Sequence, residues 1–221
     1  MKYILCIETS TTVCSVCIAT EERVLAIREI NDGYTHAENL HVFINELIEE
    51  LGIALKELSA VAVSKGPGSY TGLRIGVSAA KGFCYALKIP LIGVDTLRAM
   101  AASVANEDVY YVPMLDARRM EVYCAVYDQA LSTRLAVQAL VLDENSIKTF
   151  ELDKPVCFFG NGMPKARTLL QTLPRTIFLD DVVPSSKYVA TLAHQALAKE
   201  QFEDTALFEP FYLKDFLIRK P

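Results

Sequence analysis

The sequence has no tryptophan and only three histidines in 221 residues. Basic residues are in deficit, with 22 Lys and Arg against 27 Asp and Glu and a formal net charge of −5. A protein that grips phosphate backbones unaided carries a basic excess. Autonomous nucleic-acid binding is therefore disfavoured, and a local basic patch stays open. Long apolar runs are also missing. The longest stretch without Asp, Glu, Lys or Arg is Thr9 to Thr20, twelve residues, whereas a bilayer span needs about 20. The first eight residues reach Glu8 before any signal-peptide apolar region is complete. No membrane contact and a cytoplasmic location are expected. Disorder is excluded as the main state, because apolar residues make up 52% and charged residues 22%.

Metal and nucleophile signatures are equally scarce. The six cysteines, Cys6, Cys14, Cys17, Cys84, Cys124 and Cys157, fall almost entirely inside apolar runs and read as reduced core thiols. Cys14-x-x-Cys17 has redox or zinc spacing, but it lies in a predicted strand, where residues three apart face opposite sides. No second CxxC is present. His36 and His41 are five apart, about 140° around a helix, whereas zinc-binding helical pairs need i, i+4 spacing. No GxSxG, Walker A or GxGxxG pattern occurs. No metal site and no catalytic residue are expected.

What is present is a regular alternation. Tyr3–Glu8, Val13–Ala19 and Arg23–Ile30 read as three strands joined by short turns, hence antiparallel neighbours. A helix follows from about His36 to Leu51, its apolar stripe running through Leu40, Phe43, Ile44, Leu47, Ile48 and Leu51. Thr35 with Glu38 suggests a capping box. Leu58–Ser64 is a strand, Leu73–Leu87 a helix, Pro90–Val94 a strand and Thr96–Asn106 a helix. The second half echoes this order. Val109–Leu115, Met120–Tyr127 and Arg134–Leu142 are strands, Asp143 opens a short helix to about Phe150, and Pro155–Gly160 is a strand. Met163–Leu173 is a helix, Thr176–Leu179 a strand and Ser186–Phe202 a helix. This describes an α/β protein of two mixed sheets flanked by helices. The domain boundary is placed at residue 106, giving lobes 1–106 and 107–206, with the tail 207–221 packing back on either half.

Two segments carry candidate chemistry. Lys65-Gly66-Pro67-Gly68-Ser69-Tyr70-Thr71-Gly72 joins a strand to a helix N-terminus, which suits an anion. Equally, its glycines let the turn pass close to another element. The helix that follows presents Gly72, Gly76 and Ala80 at four-residue spacing, a groove for a neighbouring helix of the same chain, of a partner, or of both. Asp116-Ala117-Arg118-Arg119 lies in a turn between strands. Its arginines can bind phosphate or carboxylate, or form a solvated ion network with Asp116 and Glu121.

Taken together, Ile7-Glu8-Thr9-Ser10, His36-Ala37-Glu38, the run Lys65-Gly66-Pro67-Gly68-Ser69-Tyr70-Thr71-Gly72-Leu73-Arg74-Ile75-Gly76, and Asp116-Ala117-Arg118-Arg119-Met120-Glu121-Val122-Tyr123 resemble the TsaB (YeaZ) family. The match is close over residues 1 to about 127 and loose beyond. The resemblance implies an actin-like ATPase-domain (ASKHA, ribonuclease H-like) fold of two related lobes. It implies a non-catalytic scaffold or activator subunit in the synthesis of threonylcarbamoyladenosine in tRNA, pairing with a catalytic TsaD-like subunit and a TsaE-like ATPase. Tightly bound cofactors are not expected, and ATP or ADP is expected only at the junction with the partner. The partner interface is expected at His36, Leu40, Phe43, Gly72, Leu73, Gly76 and Ala80, and without the partner the same face is expected to form a homodimer. A weak nucleotide or anion site is expected at Glu8, Thr9, Ser10, Arg118 and Arg119. RNA is expected to reach the chain only through the complex, with Arg118, Arg119, Lys214, Arg219 and Lys220 as candidate contacts. Aligned to the catalytic paralogue, Thr96 and Met100 stand where that protein has its HxxxH metal pair, and a hydroxyl and a thioether are poor ligands for a hard or borderline cation. The competing reading is an enzyme on the same fold, an ATP-dependent phosphotransferase or a metalloprotease.

Overall fold

The computed structural model describes residues 2–33 and 35–214. Arg219 and Lys220, candidate RNA contacts, lie outside the described residues. Tyr3–Glu8 (β1), Val13–Ala19 (β2) and Val24–Asn31 (β3) form an antiparallel meander, Cys6 standing opposite Cys17 and Cys14 opposite Ile30. His36–Leu51 (α1) leads to Leu58–Gly66 (β4), then Tyr70–Leu87 (α2), Leu91–Asp95 (β5) and Thr96–Ala102 (α3). β4 joins β1 in parallel and β5 joins β4, giving the order β3-β2-β1-β4-β5.

Tyr110–Asp116 (β6), Glu121–Tyr127 (β7) and Thr133–Val141 (β8) repeat the meander. A 3-10 helix at Ser146–Phe150, then Val156–Phe159 (β9), Met163–Leu170 (α4), Thr176–Leu179 (β10) and Ser186–Ala198 (α5) follow. The second sheet has the order β8-β7-β6-β9-β10, the same topology as the first.

Strand alternation sorts the first sheet's side chains into two cores. Leu5, Ile7, Cys14, Val16, Val61 and Val63 face α1 and α2 and meet Leu40, Ile44, Leu47, Val77 and Ala80. Ile4, Cys6, Cys17, Ala60 and Ala62 face the other way and meet Val189, Ala190 and Ala193 of α5. Cys14 and Cys17 are thus on opposite faces, and all six cysteines are free and buried. The helix at residues 186–198, expected with the second lobe, packs instead on the first sheet. Its start is pinned to β2, where Ser186 N donates to Ser15 Oγ at 2.9 Å and Ser15 Oγ donates to Ser186 Oγ at 2.7 Å. Boundaries drawn along the chain miss this return.

The second sheet likewise buries two faces. Val112, Met114, Val122 and Phe158 pack on α4 and the 3-10 helix. Tyr111, Leu115, Ala125 and Phe159 pack on Leu97, Met100 and Ala101 of α3, which forms the junction between the lobes. Thr35 precedes α1 but makes no side-chain cap; the anticipated capping box is absent, and Thr35 O accepts the Glu38 and Asn39 N–H groups instead.

The segment after α5 runs over the first lobe. Glu203 N donates to Leu91 O at 2.9 Å, and Phe211 N donates to Lys65 O at 2.7 Å. Phe208 enters the core. Lys214 then reaches Glu121 of the second lobe as an ion pair.

Candidate functional site at the lobe junction

The end of β1 and the loop after β4 meet where the two lobes face each other. Glu8, Thr9, Ser10 and Ser64 are all buried. Glu8 Oε1 accepts the Ser10 N–H at 2.6 Å, its Oε2 accepts the Ser64 hydroxyl, and Ser64 Oγ lies 3.0 Å from Thr96 Oγ1. Burial pushes the Glu8 carboxyl above its ordinary pKa, and the bonds from Ser10 and Ser64 only partly offset it. Asp95 is raised for the same reason, against the Arg98 N–H bond and the Lys65 charge; its Oδ1 caps α3 by accepting the Arg98 N–H at 3.1 Å. These are carboxyls closed into their own chain rather than held open to a ligand.

The glycine loop approaches β1 closely. Ser69 N donates to Ser10 O at 2.6 Å, and Thr9 Oγ1 donates to Gly72 O at 2.8 Å. A Cβ on Gly72 would collide with Thr9 O, and one on Gly76 would collide with Thr9 Oγ1. Of the two readings of these glycines, close passage past a neighbouring element is therefore realised here. Ser69 caps α2, its Oγ accepting Gly72 N–H at 3.3 Å.

The residues expected at the partner face lie mostly inside the fold. His36, Leu40, Gly72, Leu73, Gly76 and Ala80 are buried inside the chain, and only Phe43 is half-buried. The small-residue stripe packs on β1 and His36, so it offers no surface in this conformation. His36 Nε2 donates to Thr11 O at 2.7 Å, and burial lowers its pKa. The outward faces of α1 and α2 carry other residues: Val42 is 49% exposed and Tyr85 is 85% exposed. The rings of His41 and Phe83 meet at a tilt of 44° with centroids 6.0 Å apart, and a Cβ on Gly82 would meet nothing within 4 Å. Four-residue spacing identifies which residues share a helix face; it carries no information on what covers that face.

Arg118 and Arg119 do not join Glu8, Thr9 and Ser10. They sit exposed in the β6–β7 turn, where Asp116 pairs with Lys165 and Glu121 with Lys214. No hydrogen bond or ion pair links this turn to Glu8–Ser10 among the described residues. Among those residues no group of three or more His, Cys, Asp or Glu is placed to hold a metal ion. No described helix is long and apolar enough to cross a membrane.

Comparison with known proteins adds the following. A family model described as TsaD, tRNA N6-adenosine threonylcarbamoyltransferase, matches residues 33–219. The tRNA threonylcarbamoyladenosine biosynthesis protein TsaB of Bacillus subtilis (strain 168) is 30% identical over 193 residues, which is 86% of this chain and 80% of that protein. The solved structure of YeaZ from Pseudomonas aeruginosa superposes with a TM-score of 0.81 at 27% identity, covering 96% of this chain and 100% of that one. An activator of 2-hydroxyisocaproyl-CoA dehydratase from Clostridium difficile, solved with bound ADPNP, superposes at a TM-score of 0.56 and 12% identity over 90% of this chain and 97% of that one. That likeness concerns the fold alone, which is the two-lobed actin-like ATPase fold.

Proposed function

The chain belongs to the TsaB (YeaZ) family of tRNA threonylcarbamoyladenosine biosynthesis proteins, and from that membership we propose that it acts as a non-catalytic scaffold or activator subunit. Its partners are a TsaD-like catalytic subunit and a TsaE-like ATPase, in the cytoplasm, with tRNA engaged only by the assembly. The single observation that carries this reading is the placement of Thr96 and Met100. Both are 0% exposed. Thr96 bonds Ser64, and Met100 packs in the junction core beside Leu97 and Phe159. Of the positions aligned with the paralogue's metal ligands, Thr96 thus serves a hydrogen bond within the first lobe and Met100 serves lobe packing, and a hydroxyl and a thioether are poor ligands for a hard or borderline cation. The carboxyls nearest them, Glu8 and Asp95, are closed by internal hydrogen bonds. A nucleotide, where one takes part, enters at the junction with the partner.

The partner surface in this reading is the outward side of the α1–α2 pair, around His41, Val42, Gly82 and Tyr85. The experiment is co-expression with the TsaD-like and TsaE-like proteins of the same genome, followed by assay of tRNA modification. The expected result is modification that requires this chain, and a chain that is inactive alone. Equal modification without it, or transfer completed by the isolated chain, overturns the proposal.

A further inference from the structure

The tight turn between the antiparallel strands β6 and β7 uses left-handed backbone at two successive residues. Arg118 and Arg119 have φ values of 70° and 52°. Among the described residues they are the only two adjacent non-glycine residues in left-handed conformation. Asn, Asp or Gly occupies such positions at least cost, yet two long cationic side chains stand here. The turn is firmly held. Arg118 N donates to Asp116 Oδ1 at 2.8 Å, and Ala117 N donates to Glu121 O at 3.0 Å. Lys165 Nζ donates to Arg119 O at 2.8 Å and to Glu121 O at 2.6 Å.

Among the described residues, neither guanidinium group has a hydrogen-bond or ion-pair partner. The nearest acids in the turn, Asp116 and Glu121, are taken by Lys165 and Lys214. Arg28, Arg134 and Arg167 are held by carboxylates and Arg175 by backbone carbonyls; Arg23 and Arg98 are exposed without such a partner among the described residues, but singly rather than as an adjacent pair. Both residues are exposed in the β6–β7 turn, and Met120 beside them is 44% exposed. A small anion is bound in a concavity, whereas an extended polyanion can lie across exposed side chains. A guanidinium fork matches phosphate oxygens in a way an ammonium does not.

We propose that Arg118 and Arg119 form a contact for the phosphodiester backbone of tRNA in the assembled complex. This rests on the scaffold reading above, because the chain's net charge of −5 disfavours RNA binding by the chain alone. Two phosphate contacts are a modest share of a complex's affinity, so the effect is legible mainly in its salt dependence.

The test uses the full chain assembled with its TsaD-like and TsaE-like partners. Assembly is measured first, and its failure with the wild-type chain overturns the scaffold reading and this proposal together. Binding of an unmodified tRNA transcript is then titrated between about 50 and 200 mM salt. The variant is the double substitution Arg118→Asn and Arg119→Gly, residues that accept left-handed backbone. Expected are an unchanged or higher melting temperature, unchanged assembly, an affinity about tenfold lower at the low-salt end, and a log–log salt slope shallower by roughly 1 to 2. The paired Arg→Lys variant keeps most of the slope. Unchanged affinity and slope in an intact complex overturn this proposal alone. Loss of assembly by the folded double variant also overturns it, and assigns the turn to a protein contact.

Discussion

Glu8 is a carboxyl that the chain has enclosed, and its energetics can be read against pH. Its pKa is raised in the folded protein by burial, so the native state holds the proton to higher pH than the unfolded chain does. The associated stability is fully present below the unfolded value of about 4.5 and is lost as pH rises through the folded value. Glu8→Gln keeps the shape and an acceptor for Ser10 N–H while removing the charge. Thermal melts should therefore show the variant more stable than wild type at pH 7, with the gap closing toward pH 4.5. A gap that widens toward acid would contradict this account. Gly76 makes a second residue-scale case. A Cβ there meets the Thr9 hydroxyl that bonds Gly72 O. Gly76→Leu should cost about 3 kcal/mol or more in urea unfolding through overpacking, with partner binding lost only as the fold is lost.

Helix α2 shows what pattern does and does not carry. Its existence and its small-residue stripe were legible, because residue spacing is a local signal; its start was not, since the helix begins at Tyr70 behind a Ser69 cap, inside the expected glycine turn and three residues before the expected Leu73. The identity of its cover was not, since Thr9 and His36 are 63 and 36 residues upstream of Gly72. The Arg118–Arg119 turn was legible as charge and invisible as strain, because neither residue announces positive φ. The partner contact belongs to this scale. Val42→Glu or Gly82→Arg alters only the outward face of the helix pair, so either should abolish co-purification with the TsaD-like subunit while shifting the melting temperature by a degree or two at most; retained complex would place the interface elsewhere. The C-terminal segment is held differently. Phe208 is buried against Gly93, where a Cβ would come within 3.0 Å of the ring, and Lys81 Nζ donates to Phe208 O at 2.9 Å. Phe208→Ala should cost about 3–5 kcal/mol and speed amide exchange at Glu203 and Phe211, whose N–H groups bond Leu91 O and Lys65 O.

At the scale of the molecule, the two halves repeat one plan and exchange their last helices. In each half three antiparallel strands, a helical connection, a strand, a helix and a strand are followed by a final helix, α3 or α5. α3 packs Leu97, Met100 and Ala101 on the second sheet, and α5 packs Val189, Ala190 and Ala193 on the first. The repeat was visible in the order of predicted elements; the exchange was not, because periodicity marks the apolar face of a helix without saying which sheet receives it. The exchange has a thermodynamic consequence. Residues 1–106 alone would expose Ile4, Cys6, Cys17, Ala60 and Ala62, the face that α5 covers. Returning that face to water costs about 25 cal/mol per Å2 of apolar surface, against a stability margin of only about 5–15 kcal/mol for a domain. The separated first half should therefore fail to give a cooperative melt, and the whole chain should unfold in one step. Far-ultraviolet circular dichroism and tyrosine fluorescence, with Tyr111 and Tyr127 in the second half reporting on the junction, should trace coincident urea transitions. Two separated transitions, or a well-folded 1–106 fragment, would show that the exchanged helices are ornaments on independent lobes rather than the link that makes them one folding unit.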